Sequence, residues 1–261
     1  MAAQARLSSL RASAGPPLRI LCFGDSLTDG YPVGNPYAER LGQKIQAAFP
    51  GRRVEYHVEG LPGDLVTSGG QYFNRMQMSW AAAPHPFDWT IVLGGTNDLG
   101  WGRPTGQIIQ SLERVWDIPL SKGGKVLALT VIETGGHFPT VDKKRDELNN
   151  DIRSYKKENF FCFDLFKEFP YHALSPEDRS KYWATDRVHL TEAGYDLLGE
   201  KIADGLVRIL RLAEAQGTDI SSVVSDARQR KAIEDLIFEE EMGDSRLLSQ
   251  GYIVVRKKDL D

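Results

Sequence analysis

A serine follows directly after the first apolar run of the chain, within Gly-Asp-Ser-Leu-Thr at residues 24–28. A serine hydroxyl is a weak nucleophile near neutral pH, so it can attack a carbonyl only when a base lies within hydrogen-bond reach. The corner between a strand and a helix would hold Ser26 in an exposed and rigid position. The same tripeptide also fits a simple turn or a helix N-cap, so its chemistry depends on partners elsewhere.

Partners of the required kind occur late in the chain, within Asp-Arg-Val-His-Leu-Thr at residues 186–191. Histidine is the side chain whose ordinary pKa suits general-base work near neutral pH. One local turn can bring Asp186 onto the other ring nitrogen of His189, where a carboxylate fixes the tautomer and stabilises the imidazolium. The alternative is a surface Asp–His turn before a helix that Thr191 caps.

Two further segments contain groups that can stabilise an oxyanion. Asn97, within Gly-Gly-Thr-Asn-Asp at residues 94–98, carries two N–H donors on its side-chain amide. Gly63, within residues 60–64, can bring a backbone N–H close to a ligand. Each segment also has a purely structural interpretation. Asn97 could form an Asx turn, and Pro62 and Gly63 could form the centre of a type II turn.

Short apolar runs alternate with segments of helical spacing along the chain. Apolar runs closed by glycine or polar residues predict buried strands, and apolar residues at i, i+4 predict helices. The predicted strands are Leu18–Phe23, Arg53–Val58, Phe87–Leu93, Lys125–Val131 and Phe160–Asp164, and the predicted helices are Pro36–Phe49, Thr105–Trp116, Val141–Glu158 and Glu192–Leu212.

This alternation predicts an α/β fold, namely a three-layer α/β/α sandwich with a central, mostly parallel sheet. Ligands of such sheets bind at the carboxyl ends of the strands, where the loops diverge. Ser26, Gly63 and Asn97 each follow a predicted strand, and Asp186 and His189 precede the last predicted helix. We therefore expect these residues to meet at one end of the sheet.

In this order the segments resemble the conserved blocks of the SGNH hydrolases, also called GDSL esterases and lipases. The resemblance covers roughly residues 18–212 and is most specific at residues 21–28, 95–98 and 186–190. It implies a flavodoxin-like SGNH hydrolase fold with a catalytic triad of Ser26, His189 and Asp186.

The resemblance also implies an oxyanion hole formed by the N–H groups of Ser26 and Gly63 and by the side chain of Asn97. The chain departs from the family pattern just before Gly63. Glu-Gly-Leu-Pro occupies residues 59–62, where family members often carry Asn or Ser a few residues before the glycine, so Gly60 is the alternative donor.

These residues predict a serine esterase that hydrolyses carboxylic esters of small or soluble acyl substrates through an acyl-enzyme. An acyltransferase with the same site and a non-catalytic binding protein on this fold stay open as alternatives. No metal or cofactor is expected, because His-Glu-x-x-His and P-loop sequences do not occur. The other histidines lack partners at metal-ligand spacing: they are His57, His85, His137 and His172.

Two residues beside the proposed triad are predicted to contact the substrate. Asp25 precedes the serine, and Trp183 lies three residues before Asp186. Core packing is the alternative for Trp183. Trp101 and Phe138 follow predicted strands and are further candidates of this aromatic kind.

The charge distribution argues against a nucleic-acid partner. Residues 214–261 hold 11 acidic and 7 basic residues, which accounts for the whole net charge of −4, and the rest of the chain is balanced without a basic patch. The expected partner is a small-molecule ester. No apolar run is long enough to span a membrane.

Both ends of the chain differ in composition from its centre. Residues 1–17 lack acidic residues and predict a mobile N-terminal arm of a cytoplasmic protein, with a mitochondrial transit peptide as the alternative. Residues 213–261 predict a C-terminal extension, a helix plus an extended arm, through which the chain could form a homo-oligomer. A mobile tail is the alternative for this segment.

Overall fold

Five parallel strands form one central sheet, which confirms the predicted α/β class. Interior strands are buried along nearly their whole length, whereas the second strand, at an edge, is partly exposed. The strands are β1 (Leu18–Gly24), β2 (Val54–Gly60), β3 (Trp89–Leu93), β4 (Lys125–Leu129) and β5 (Phe160–Phe163), and they lie in the order β2-β1-β3-β4-β5.

Helices follow the strands, as in other parallel sheets. Within the described part of the chain they are α1 (Ser26–Asp29), α2 (Tyr37–Ala48), α3 (Gln71–Ala82), α4 (Thr96–Gly100), α5 (Thr105–Ser121), α6 (Pro139–Ser154), α7 (Leu165–Glu168), α8 (Pro176–Tyr182) and α9 (Glu192–Ala215).

The sheet separates two helical layers. On one face, Leu21 and Phe23 of β1 share an apolar core with α3, α5 and α6. On the other face lie α2 and α9, which approach so closely that a Cβ at Gly199 would lie 2.4 Å from the carbonyl oxygen of Tyr37. Alternate residues of β1 therefore enter different cores, as expected for a three-layer sandwich.

The four short helices α1, α4, α7 and α8 were not predicted, and three of the longer helices also differ from the sequence prediction. Helix α3 was not predicted, although Tyr72, Met76 and Trp80 recur at i, i+4 spacing and are all buried. Helix α5 continues to Ser121 through Pro119, which is itself buried in the core-facing side of the helix. Helix α6 begins two residues earlier than predicted because Pro139 supplies its first turn.

The structure, a computed structural model, describes residues 16–215. The chain divides into two units, residues 1–207 and 208–261, and the sheet and site described here belong to the first unit. Almost all of the predicted N-terminal arm and C-terminal extension, with its proposed oligomer contact, lies outside the described residues. None of the helices within residues 16–215 is long and apolar enough to cross a membrane.

Candidate active site

Ser26 lies where the first strand gives way to a helix. Strand β1 ends at Gly24, and the Asp25 side chain caps α1 by accepting a hydrogen bond from the N–H of Leu27 at 3.0 Å. A Cβ at Gly24 would lie 2.4 Å from the carbonyl oxygen of Leu93 on β3, so only glycine fits there. Ser26 begins α1 and is 6% exposed. The corner thus holds this hydroxyl rigidly at the end of a central strand.

Three side chains that sequence reasoning selected form a continuous line of hydrogen bonds. His189 Nε2 lies 2.9 Å from Ser26 Oγ, and His189 Nδ1 lies 2.7 Å from Asp186 Oδ2. When Nδ1 carries the ring proton and donates it to Asp186, Nε2 is free to accept the proton of the serine hydroxyl. This arrangement can perform general-base activation of a nucleophile.

A tight turn fixes the relative positions of Asp186 and His189. Asp186 Oδ1 accepts hydrogen bonds from the backbone N–H groups of Val188 and His189, both at 2.9 Å. Arg187 adopts the left-handed conformation with a φ of 59°, which is costly for a residue other than glycine. Its carbonyl oxygen accepts a hydrogen bond from Gly135 N–H at 2.8 Å, so a neighbouring loop holds the turn in place.

Hydrogen bonding decides the charge state of Asp186. Burial raises the pKa of this carboxyl, but the hydrogen bonds from the His189 ring and from the backbone of His189 and Val188 outweigh burial and leave the pKa below its ordinary value. The carboxylate is therefore ionised near neutral pH. An ionised carboxylate at this position can stabilise an imidazolium at His189.

Asn97 presents a fixed amide at the end of β3. Its Nδ2 donates to the carbonyl oxygen of Asp64 at 2.9 Å, which uses one of the two N–H donors of the amide. The other donor has no partner among the described residues. Asp98, the next residue, is buried and accepts hydrogen bonds from Val66 N–H and from Thr67, so it ties the same loop to α4.

The backbone N–H groups of Ser26 and Gly63 also make no hydrogen bond to other backbone groups within the described residues. Ser26 occupies the first position of α1, where the N–H has no partner within the helix. Gly63 has a φ of 78°, and neither its N–H nor that of Ser26 donates a hydrogen bond to another backbone group within residues 16–215. Gly60 is different, because a Cβ there would lie 2.2 Å from the backbone nitrogen of Asp29. Close packing against α1 thus accounts for Gly60.

Arg75 was not predicted as a site residue, yet it joins the segments that carry the site. Its guanidinium donates to Asp64 Oδ2 at 3.0 Å, to the carbonyl oxygen of Gly24 at 2.8 Å and to that of Glu59 at 3.0 Å. It also lies 4.4 Å from the centroid of the Phe23 ring. No sequence pattern indicated this role, because Arg75 lies on α3, a helix that was not predicted.

Tyr31 is a second neighbour of the site that sequence reasoning missed. Its ring meets the imidazole of His189 edge to face, with 4.8 Å between the ring centroids. The Tyr195 hydroxyl donates a hydrogen bond to the carbonyl oxygen of Tyr31 and so fixes its backbone. The aromatic ring restricts the positions that the imidazole can adopt.

Comparison with known proteins assigns the chain to a family. The profile of the GDSL-like Lipase/Acylhydrolase family matches residues 22–197, which include every residue of the site. The chain belongs to this family. Ester hydrolysis is the general activity that this membership supports. No curated protein sequence matches the chain significantly.

Solved structures agree with this family on the fold. A member of the lipolytic protein G-D-S-L family from Veillonella parvula DSM 2008 is 25% identical, with a TM-score of 0.54 over 71% of this chain and 96% of that chain. The lipase/acylhydrolase from Enterococcus faecalis is 22% identical, with a TM-score of 0.58 over 72% and 95%. A carbohydrate esterase family 3 protein from Talaromyces cellulolyticus is 15% identical, with a TM-score of 0.58 over 74% and 98%. The predicted SGNH hydrolase fold is confirmed.

The two residues predicted to contact substrate are both buried. Asp25 is 1% exposed; burial raises its pKa to about 6, and its Oδ2 has no partner among the described residues. Trp183 is 4% exposed and packs against the rings of Phe169 and Tyr171. These contacts agree with core packing, the alternative to a substrate contact. A substrate contact by either side chain stays a prediction.

Three of the remaining four histidines make ring contacts. His137 and His172 stack with 3.9 Å between ring centroids, and His57 packs against Phe87 at 5.3 Å. Within residues 16–215, no group of three or more His, Cys, Asp or Glu side chains is arranged to hold a metal ion.

Replacing Arg75 by Met should destabilise the fold by roughly 3 kcal/mol, because it leaves the buried carboxylate of Asp64 without its cation. Urea denaturation measures this change in the free energy of unfolding. Arg53→Met is the matched control, since Arg53 pairs with Glu55 at the surface and its loss should cost less than about 1 kcal/mol. If both substitutions lower the free energy of unfolding equally, the Arg75 contacts stabilise the fold no more than a surface ion pair does.

Asp25 should make the stability of the protein depend on pH. The carboxyl has a pKa of about 6 in the folded chain against 3.8 when unperturbed, so the folded state binds more protons between these values and loses stability as the pH rises through them. Asn at this position keeps an acceptor for Leu27 N–H and does not titrate. The free energy of unfolding of the wild type, relative to Asp25→Asn, should therefore fall by roughly 2–3 kcal/mol between pH 4 and pH 7.

Urea denaturation of both proteins at several pH values measures this difference. A constant difference across the range would contradict the prediction, and so would a difference that grows in favour of the wild type at higher pH.

Proposed function

We propose that this family member is a serine esterase that hydrolyses small carboxylic esters through an acyl-enzyme. The observation that carries the proposal is the line of hydrogen bonds from Asp186 Oδ2 through His189 to Ser26 Oγ, at 2.7 and 2.9 Å. The order and spacing of these three groups are those that activation of a serine nucleophile requires.

In the first step Ser26 Oγ bonds to the ester carbonyl carbon while its proton passes to His189 Nε2. The carbonyl π electrons move onto the carbonyl oxygen, and the N–H groups of Ser26 and Gly63 and the Asn97 amide stabilise the resulting oxyanion. Asp186 stabilises the imidazolium. The oxyanion then collapses, the bond to the alcohol oxygen breaks, and His189 gives that oxygen its proton.

The second step repeats this chemistry with water. His189 removes a proton from the water molecule as its oxygen attacks the acyl carbon, and the same donors stabilise the second tetrahedral anion. Collapse releases the carboxylic acid and returns the proton to Ser26 Oγ. The balance of this sequence is one ester and one water consumed, with one acid and one alcohol formed.

The space beside the triad supports a substrate of modest size. Asn97 and Val188 line a cavity of about 430 Å³, and Val188 directly precedes His189 in the chain. This volume suits a small organic group and is at the lower end of the range for ligand pockets.

Ser26→Ala should abolish hydrolysis of short p-nitrophenyl esters, with a loss of at least about 10³-fold in kcat, because the nucleophile is gone. Circular dichroism and urea denaturation check that the variant stays folded. Ser111→Ala is the control: this exposed hydroxyl donates only to the carbonyl oxygen of Gln107 within α5, so activity should be unchanged.

If Ser26→Ala keeps most of the wild-type activity, the proposal is refuted. Product analysis with an added alcohol then distinguishes hydrolysis from acyl transfer, since an acyltransferase would form a new ester in place of the free acid.

A further inference from the structure

Tyr31 contacts both Ser26 and His189. Its backbone N–H donates a hydrogen bond to the carbonyl oxygen of Ser26 at 3.1 Å. Its ring meets the imidazole of His189 edge to face, with 4.8 Å between the ring centroids. One residue outside the proposed triad therefore touches both partners of the hydrogen bond that would activate the nucleophile.

Hydrogen bonds on both sides hold the backbone of Tyr31. Gly30, which precedes it, ends α1 in the left-handed conformation with a φ of 83°, and its N–H donates to the same carbonyl oxygen of Ser26 at 3.1 Å. On the other side, the carbonyl oxygen of Tyr31 accepts a hydrogen bond from the hydroxyl of Tyr195, a buried residue of α9. The Tyr31 ring is thus attached to a backbone that is fixed to the Ser26 segment and to the helix that follows His189.

The imidazole of His189 is held by two hydrogen bonds and one aromatic contact within residues 16–215. Nδ1 lies 2.7 Å from Asp186 Oδ2, and Nε2 lies 2.9 Å from Ser26 Oγ. The ring of Tyr31 supplies the aromatic contact. In the free protein the two hydrogen bonds anchor opposite sides of the imidazole, so they define its position even without Tyr31.

Acylation of the serine removes one of these anchors. In the proposed acyl-enzyme, Ser26 Oγ is bonded to the acyl carbon and no longer has a proton to donate to Nε2. Asp186 then holds the imidazole through Nδ1 alone, and a ring held by one hydrogen bond can rotate about that point. The Tyr31 ring is the contact that still limits this rotation.

We propose that Tyr31 is a positioning residue for deacylation, whose ring keeps the imidazole of His189 in place while the acyl group occupies Ser26. The inference rests on the proposed esterase function and goes beyond it by assigning a residue to one half of the reaction. In that half the water oxygen bonds to the acyl carbon and the water proton passes to Nε2. The bond from the acyl carbon to Oγ then breaks, and Oγ takes the proton from Nε2.

The surroundings of Tyr31 separate this role from substrate binding. Tyr31 does not line the cavity beside Asn97, whose exposed rings are those of Trp101 and Phe138. Loss of the Tyr31 ring should therefore move the imidazole and leave this cavity unchanged. The contact with His189 is made by the ring, so phenylalanine at position 31 should replace tyrosine fully.

The test measures acylation and deacylation of Tyr31→Ala separately, with p-nitrophenyl acetate. Because p-nitrophenolate leaves without taking a proton, kcat/KM for its release reports acylation. Deacylation is the rate at which the acetyl group disappears from the chain after reaction with an equimolar amount of ester, followed by acid quench and mass spectrometry. In Tyr31→Ala, deacylation should slow about fivefold or more, whereas acylation should fall less than about twofold.

Two matched variants control for the loss of a tyrosine. Tyr31→Phe should keep both rates, because it keeps the ring. Tyr56→Ala removes another partly exposed tyrosine, on β2, and should also leave both rates unchanged. If circular dichroism shows that Tyr31→Ala is unfolded, Tyr31→Leu takes its place, and its deacylation should slow about threefold or more relative to its acylation.

Several results would overturn the inference: equal losses in the two steps, a larger loss in acylation, no accumulation of the acetyl group on Tyr31→Ala, or the same defect in Tyr31→Phe. Failure of the esterase function gives a different result. If Ser26→Ala keeps the hydrolytic activity, the proposed function fails and this inference fails with it. If the acetyl group forms on Ser26 and Tyr31→Ala releases it at the wild-type rate, only the role of Tyr31 is wrong.

Discussion

The hydrogen bond between Ser26 Oγ and His189 Nε2 joins groups that are 163 residues apart in sequence, and the rest of the structure makes this contact available. Ser26 is fixed because it follows a central strand at a corner where Gly24 allows close approach of β3. His189 is fixed because the turn before α9 is held by a hydrogen bond from Gly135 N–H to the carbonyl oxygen of Arg187. Helix α9 packs closely on α2 at Gly199, and the loop before α9 meets the end of β1 at the hydrogen bond of His189 to Ser26.

The surroundings of this contact are rich in buried carboxylates, and each is stabilised differently. Asp64 pairs with Arg75, and Asp98 accepts three hydrogen bonds from Val66 and Thr67. Among the described residues, the Asp25 carboxyl accepts a single hydrogen bond, from the backbone N–H of Leu27, and burial raises its pKa to about 6. A buried charge costs free energy unless it is paired or hydrogen-bonded. The ion pair at Asp64 and the hydrogen bonds at Asp98 reduce this cost.

Local patterns were sufficient to predict the fold class and the hydrogen-bonded line of Ser26, His189 and Asp186. Asn97, Asp186 and His189 each lie in a short segment of recognisable chemistry beside a predicted element. Arg75 could not be found in this way, because its three partners belong to segments that meet only in the folded chain. The burial of Arg145 could not be predicted either. This arginine lies in the charged helix α6, where an arginine is expected at the surface, yet it is 5% exposed and donates a hydrogen bond to Asp142.

The central claim is that the ester's acyl group passes through Ser26, and trapping that intermediate tests it most directly. The enzyme is mixed with excess p-nitrophenyl acetate, quenched with acid within the first turnovers, digested, and analysed by mass spectrometry. The account predicts one acetyl group per chain, located on the peptide that contains Ser26, together with a matching burst of p-nitrophenol. Acetylation of another residue, or turnover with no acetyl group on Ser26 under conditions that preserve the ester, would contradict it.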